Sequence, residues 1–185
     1  WIDGVCEAAF YGPKLDFIAK DSLGRVLQVA TIQLDFNMPK NFDLTCVNEE
    51  GKKEDVVMIH CAIMGSIERF MATLLEHTNG VFPLWLAPVQ VKVIPIGEAH
   101  QAFAQQVSES LKNVGMRVEL DDAKDGLGKK VRAAKVDKIP YWLVIGDKEI
   151  EANKVTLESR DRGQLGQKSI EDIISEFSKE ITDKK

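Results

Sequence analysis

From residue 89 onward the apolar residues keep changing their period. "VQVKVIPIG" is a compact run of strand type. Phe103, Val107, Leu111 and Val114 then recur at helical spacing up to Gly115, and "MRVELD" returns to a strand. Leu127, Val131 and Ala134 mark a shorter helix. "IPYWLVIGD" is a nearly all-apolar strand, the pattern of a strand covered on both faces. "KVTLES" is a fourth strand, antiparallel after a turn around "EIEAN". Ser169 opens a last helix that carries Ile170, Ile173, Ile174, Phe177 and Ile181 on one face, and "ITDKK" is a solvated tail. Parallel strands need crossovers long enough to hold a helix, so this alternation predicts an α/β domain with a mainly parallel sheet.

The half before it obeys a different rule. "PKLDFIAKD" and "RVLQVATIQLDF" are two alternating, β-branched runs separated by "SLG", as expected for an antiparallel hairpin. "NMPKNFDLTCVNEEGKKEDV" is polar and turn-rich, with a tight turn at Glu50-Gly51, and reads as a surface excursion. "VVMIH" reads as a buried strand with Val56, Met58 and His60 on one face. Ile67, Phe70, Met71, Leu74 and Leu75 then form a helical stripe, with Ser66 as the expected N-cap and Asn79-Gly80 as the stop. "VFPLWLAP" carries two prolines and reads as an extended crossover. A boundary near Pro88 divides the chain into residues 1–88 and 89–185: an α+β part built on antiparallel sheet, then an α/β part.

Composition removes several function classes. No apolar run approaches the length of a transmembrane helix, so no membrane role is expected. The net charge is −5 and the pI about 5.3, unlike a protein that grips nucleic acid nonspecifically; any RNA contact needs a local patch. Cys6, Cys46 and Cys61 lack metal-ligand spacing and read as reduced thiols of a cytoplasmic protein. The chain opens with Trp and no signal peptide, which favours a piece of a longer polypeptide.

"MIHCAIMGSIERF" gathers a His, a Ser and an Arg at one strand-to-helix junction. Arg69 falls in the first turn of a helix, where the macrodipole disfavours a cation, so it needs an anion nearby. Glu68 supplies one locally as a surface pair; a ligand phosphate is the alternative, matched by the planar guanidinium fork. His60 is either a satisfied core histidine or a metal ligand. Neither His77 nor His100 is spaced to join it, so the chain by itself builds no four-ligand zinc site. Gln28, Thr31 and Gln33 are polar residues in an apolar strand, facing either solvent or a polar concavity. Tyr11 and Lys14 stand where the chain enters the hairpin, around a Gly12-Pro13 turn. "GKK" at 128–130 is half a phosphate loop and carries nothing.

Taken together, "AFYGPKLDF", "TIQLDF", "MIHCAIMGSIERF" and "FPLWLAPVQV", followed by "GKKVRAA", "IPYWLVIGDKE" and "GQLG", resemble threonyl-tRNA synthetases over essentially the whole chain. "GSIER" is similar to the third signature motif of class II synthetases. The resemblance implies the end of a class II catalytic domain followed by an anticodon-binding domain with a mixed, mainly parallel sheet. It implies that Arg69 is catalytic and holds the ATP γ-phosphate, that Gln28 and Thr31 bind ATP, and that Tyr11, Gln33 and Ser66 surround the threonine or its adenylate. It implies that His60 is one of three protein ligands to a zinc ion that reads the threonine amino group and hydroxyl. Glu149, Arg160 and Lys124 fall at anticodon-reading positions. The implied partners are threonine, ATP with Mg2+, and tRNA(Thr), in a parent enzyme that forms a homodimer.

The sequence also departs from that pattern. Cys61 stands where Arg is usual, and Ala8 and Ala30 stand at glycine positions. Lys124 replaces an Asn, and Glu158 replaces an Arg, which is unfavourable beside RNA. The other two zinc ligands and the first two class II motifs have no counterpart here, so the chain alone is expected to be inactive. The competing reading is a non-catalytic RNA-binding or regulatory paralogue. "TIQLDF" and "GSIERF" favour the ligase, because a paralogue without chemistry has no use for Arg69 or His60.

Overall fold

The computed structural model describes Gly4, residues 9–21 and residues 23–184; Cys6 and the Ala8 substitution lie outside these. The chain divides into two compact units, Trp1–Asn79 and Gly80–Lys185.

In the first unit β1 (Lys14–Lys20) and β2 (Val26–Asp35) form the expected antiparallel hairpin. The polar excursion holds a one-turn helix α1 (Met38–Asn41), opened by Pro39, and a small exposed hairpin of β3 (Thr45–Val47) and β4 (Lys53–Asp55). Strand β5 (Met58–Ile63) adds antiparallel to β2, giving the order β1-β2-β5. It runs past His60, which is therefore mid-strand. Contrary to the buried-strand expectation, β5 is mostly exposed: Ile59 and Ile63 are 65% and 73% accessible. Helix α2 (Ile67–Thr78) starts at Ser66, whose Oγ accepts the Arg69 N–H at 3.2 Å, and stops at the left-handed Asn79. Its apolar stripe is largely open as well; Ile67 and Met71 are 75% and 54% accessible.

The second unit contains β6 (Val91–Pro95), α3 (Gln101–Asn113), β7 (Val118–Leu120), α4 (Leu127–Val136), β8 (Tyr141–Ile145), α5 (Asp147–Ala152), β9 (Val155–Ser159), β10 (Gly163–Lys168) and α6 (Ile170–Thr182). The sheet order is β10-β9-β8-β6-β7. β6 runs parallel to β7 and β8, while β9 and β10 are antiparallel. Val91, Val93, Leu143, Ile145 and Leu157 pack with Leu111 of α3 and Ile173 and Phe177 of α6. On the other face Ile94, Trp142 and Val144 pack with Ala134 of α4. Covering on both faces is why β6 and β8 are apolar at nearly every position. Each fully buried large side chain there contributes about 1.5–3 kcal/mol.

Three details depart from the sequence reading. "EIEAN" continues a six-residue helix, α5, that begins at Asp147 and ends at Ala152, and is not just a turn. "GQLGQK" is a strand, β10, without one β-branched residue; its pairing with β9 decides its state. The crossover 80–88 belongs with the second unit. Gln90 donates to the Leu84 carbonyl at 2.8 Å, and Arg117 donates to the Ala87 and Trp85 carbonyls, each at 2.9 Å. Leu84 is buried in that core, so the division falls at Asn79/Gly80 and not near Pro88.

Candidate functional site

Across the first sheet Lys14 faces Gln33, which faces His60, and Asp16 faces Thr31. Residues directly opposite share a face, so Lys14, Asp16, Thr31, Gln33, Asp35 and His60 form one polar surface. Gln28 lies an odd number of residues from Thr31 and Gln33, and regular alternation would turn it away. A bulge where Phe17 pairs with Ala30 but Ile18 with Gln28 makes Val29 the extra residue and returns Gln28 to the polar side. There Gln28 Nε2 donates to Asp16 Oδ1 at 2.7 Å, Thr31 Oγ donates to the same oxygen at 2.7 Å, and Lys14 Nζ lies 2.6 Å from Oδ2. The Lys14 ammonium, then the Thr31 hydroxyl, hold the Asp16 carboxyl below the usual carboxylate range.

Further along this face a cavity of about 420 Å³ is lined by Tyr11, Gln33, Asp35, Met38 and His60, among others. The Tyr11 and His60 rings meet edge-on, 6.5 Å between centroids. Gly12 lets the entering chain pass close to β2: a Cβ there would stand 2.3 Å from the Leu34 carbonyl oxygen. His60 Nε2 lies 2.9 Å from Oδ2 of the buried Asp35. Cys61 pairs with Ile32 and points to the opposite, apolar face. Among the described residues no three His, Cys, Asp or Glu side chains are grouped to hold a metal ion.

Arg69 reaches the same region from helix α2. Met64 and Gly65, both left-handed, bend the chain from β5 into the helix; a Cβ on Gly65 would lie 2.9 Å from the Gln28 carbonyl oxygen. Arg69 donates to that carbonyl at 3.3 Å while its guanidinium stays exposed. Gln28 thus links the other two ATP candidates, its side chain bonded to Thr31 and its carbonyl to Arg69, and Tyr11, Gln33 and His60 share the cavity. Ser66 uses its Oγ as the helix cap. Asp16 and Asp35 were not singled out in the sequence. The period-two row Thr31, Gln33, Asp35 was the available signal.

In the second unit the three anticodon candidates do not converge. Lys124 is exposed, 3.4 Å from Glu98 at the C-terminal end of β6, beside a cavity of about 440 Å³. Glu149 stands at the C-terminal end of the parallel neighbour β8. The two loops are joined by His100, which bonds Asp147 at 3.0 Å. Glu149 is buried, and its oxygens accept from Thr156, Gln167 and the Gly146 N–H. Burial raises its pKa, but these bonds outweigh burial and hold the carboxyl below its ordinary range. Arg160 follows β9 at the other end of β8, a five-residue strand about 15 Å long. It donates to the Phe82 and Lys138 carbonyls at 3.1 and 2.8 Å and pairs with Asp161. Glu158, the unfavourable substitution, accepts the indole N–H of the fully buried Trp142 at 2.8 Å.

Residues 2–78 match the family model of the tRNA synthetase class II core domain (G, H, P, S and T), and residues 90–180 match that of the anticodon binding domain. The chain therefore joins part of a class II aminoacyl-tRNA synthetase core to an anticodon-binding domain. Threonine–tRNA ligase of Carboxydothermus hydrogenoformans is 51% identical over 97% of this chain, and that of Syntrophomonas wolfei 52% over 96%. The RNA binding domain of threonyl-tRNA synthetase from Cryptosporidium parvum superposes with a TM-score of 0.82 at 39% identity, covering 94% of this chain and 44% of that one. Prolyl-tRNA synthetase from the same organism, solved with L-proline and AMP, gives 0.72 at 25% identity over 96% of this chain and 38% of its own. The chain belongs to the threonyl-tRNA synthetase family. It spans 28% of the length of both curated relatives.

Proposed function

We propose that the protein containing this chain is a threonine–tRNA ligase, activating threonine with ATP and transferring it to tRNA(Thr). The observation that carries this is the single polar sheet face. It brings Tyr11, Gln33 and His60 to one cavity, and Gln28, bonded to Thr31, meets Arg69 through its carbonyl. In this reading the Arg69 guanidinium neutralises the ATP γ-phosphate, delivered with Mg2+, while Gln28 and Thr31 orient the nucleotide. Gln33 and Tyr11 hold the threonine in the cavity, and Ser66 contributes by fixing the start of α2 under Arg69.

His60 fits a zinc ligand: it is a partly exposed imidazole on the cavity wall with one ring nitrogen unbonded among the described residues. The chemistry a bound zinc supplies is recognition of the threonine amino group and hydroxyl, which an apolar pocket of the same shape achieves poorly against valine. Lys124, at the crevice beyond the parallel strands, is the side chain assigned to the anticodon, with Glu149 bracing the same edge. Exposed Cys46 and Cys61 suit a reducing cytoplasm.

Metal analysis and threonine activation by the full-length protein test the reading. His60→Ala is expected to lose zinc and threonine binding while retaining ATP binding; zinc lost in Cys61→Ala but kept in His60→Ala overturns it. The 185-residue chain alone is expected to give no threonine-dependent ATP–pyrophosphate exchange.

A further inference from the structure

We infer that Asp35 is the positioning residue for His60: it accepts the ring Nε2–H and so leaves Nδ1 as the nitrogen offered to a metal ion in the cavity. This rests on the zinc reading proposed above for His60. The carboxylate is an anchor and not a loose surface partner. Its side chain is 3% exposed against 40% for His60. Oδ1 accepts the Asn37 and Met38 N–H groups at 2.8 and 2.9 Å, which leaves Oδ2 aimed at His60 Nε2, 2.9 Å away. Pro39, buried in the first turn of α1, stiffens the segment that supplies those two donors.

The sheet register explains the pairing. Asp35 faces Met58 and Gln33 faces His60, so Asp35 and His60 are diagonal neighbours on one face. A carboxylate can only accept, so the ring nitrogen beside it must carry the proton in the neutral imidazole. The lone pair then resides on Nδ1, which has no hydrogen bond among the described residues. A carboxylate on the remote nitrogen fixes the ring tautomer and orientation and raises the basicity of the ligating one. A merely structural pair this exposed on one side would contribute little.

The test uses Asp35→Asn in the full-length protein. Asn keeps an oxygen for the two backbone donors but turns an amide N–H2 toward His60, reversing the polarity of that bond. Zinc affinity, measured by chelator competition, is expected to fall about 10–100-fold, with thermal midpoint and ATP binding retained. Unchanged zinc affinity in Asp35→Asn, with zinc lost in His60→Ala, overturns the positioning role and leaves the zinc reading standing. Zinc retained in His60→Ala overturns the zinc reading, and the positioning role with it. Should Asp35→Asn not fold, 15N-histidine NMR of the unmutated, metal-depleted protein decides. An Nε2–H tautomer at His60 supports the role, and an Nδ1–H tautomer overturns it.

Discussion

Arg160→Ala separates two roles that the sequence leaves merged. Arg160 sits at an anticodon-reading position by resemblance, yet its side chain is only 13% exposed. Nη1 donates to the Phe82 and Lys138 carbonyls, tying the crossover before β6 to the loop before β8. A charged donor to a carbonyl is worth about 1.5–3 kcal/mol, less where water replaces it. The ion pair with Asp161, which is 63% exposed, adds about 0–1 kcal/mol and is ignored. Removing the guanidinium is therefore expected to cost the second unit about 2–4 kcal/mol, a large share of a domain stability of about 5–15 kcal/mol. Urea unfolding followed by tryptophan fluorescence, with Trp142 fully buried as reporter, measures it. Arg160→Lys keeps the charge but not the fork, so it should lose nearly as much stability as Ala. A stability unchanged in both variants, with tRNA affinity lost in Ala and kept in Lys, would refute the structural role.

Arg69→Ala should lower threonine activation by the full-length protein about ten- to a hundredfold, the worth of one charge-assisted phosphate contact. Among the described residues its exposed guanidinium makes only the 3.3 Å bond to Gln28, so the unfolding midpoint should hold; activation at the wild-type rate would sink the assignment. For Glu149 the sign follows from its depressed pKa. The folded state favours the carboxylate, so its contribution is present at neutral pH and lost as pH falls below the ordinary glutamate range. Glu149→Gln should therefore destabilise at neutral pH by about 1–3 kcal/mol, with the gap to wild type narrowing in acid. A gap independent of pH would contradict this.

The strands and helices that bury a full stripe were legible in the sequence. Ile173 and Phe177 mark the α6 face that packs on the sheet, and β8 reads as doubly covered because it is. The elements that escaped notice owe their state to partners. β10 is held by β9, and α5 is a single short turn-like helix between Gly146 and the left-handed Asn153. The stripe of α2 and the apolar face of β5 predicted burial that this chain does not provide. Among site residues, Gln33 and His60 share a face by simple alternation. Arg160 lies at the opposite end of β8 from Glu149, which a list of residues does not reveal. Asp35 was hidden inside "TIQLDF", where its importance depends on a diagonal neighbour on another strand.

The extra residue at Val29 has a consequence for changes in chain length. Strand β2 is read in two phases: positions up to Gln28 present one parity to the polar side, and positions from Ala30 onward the other. Deleting one residue at Val29 would regularise the ladder. Gln28 would stay opposite Ile18, two positions from Thr31, and so keep to the polar side. Losing a second residue between Gln28 and Thr31 would instead turn Gln28 among the apolar side chains and bring Leu27 beside Asp16, although every residue type of the site remained. The number of paired positions between Gln28 and Thr31, and not the identity of the residue that bulges, is thus the tightly specified property of this segment.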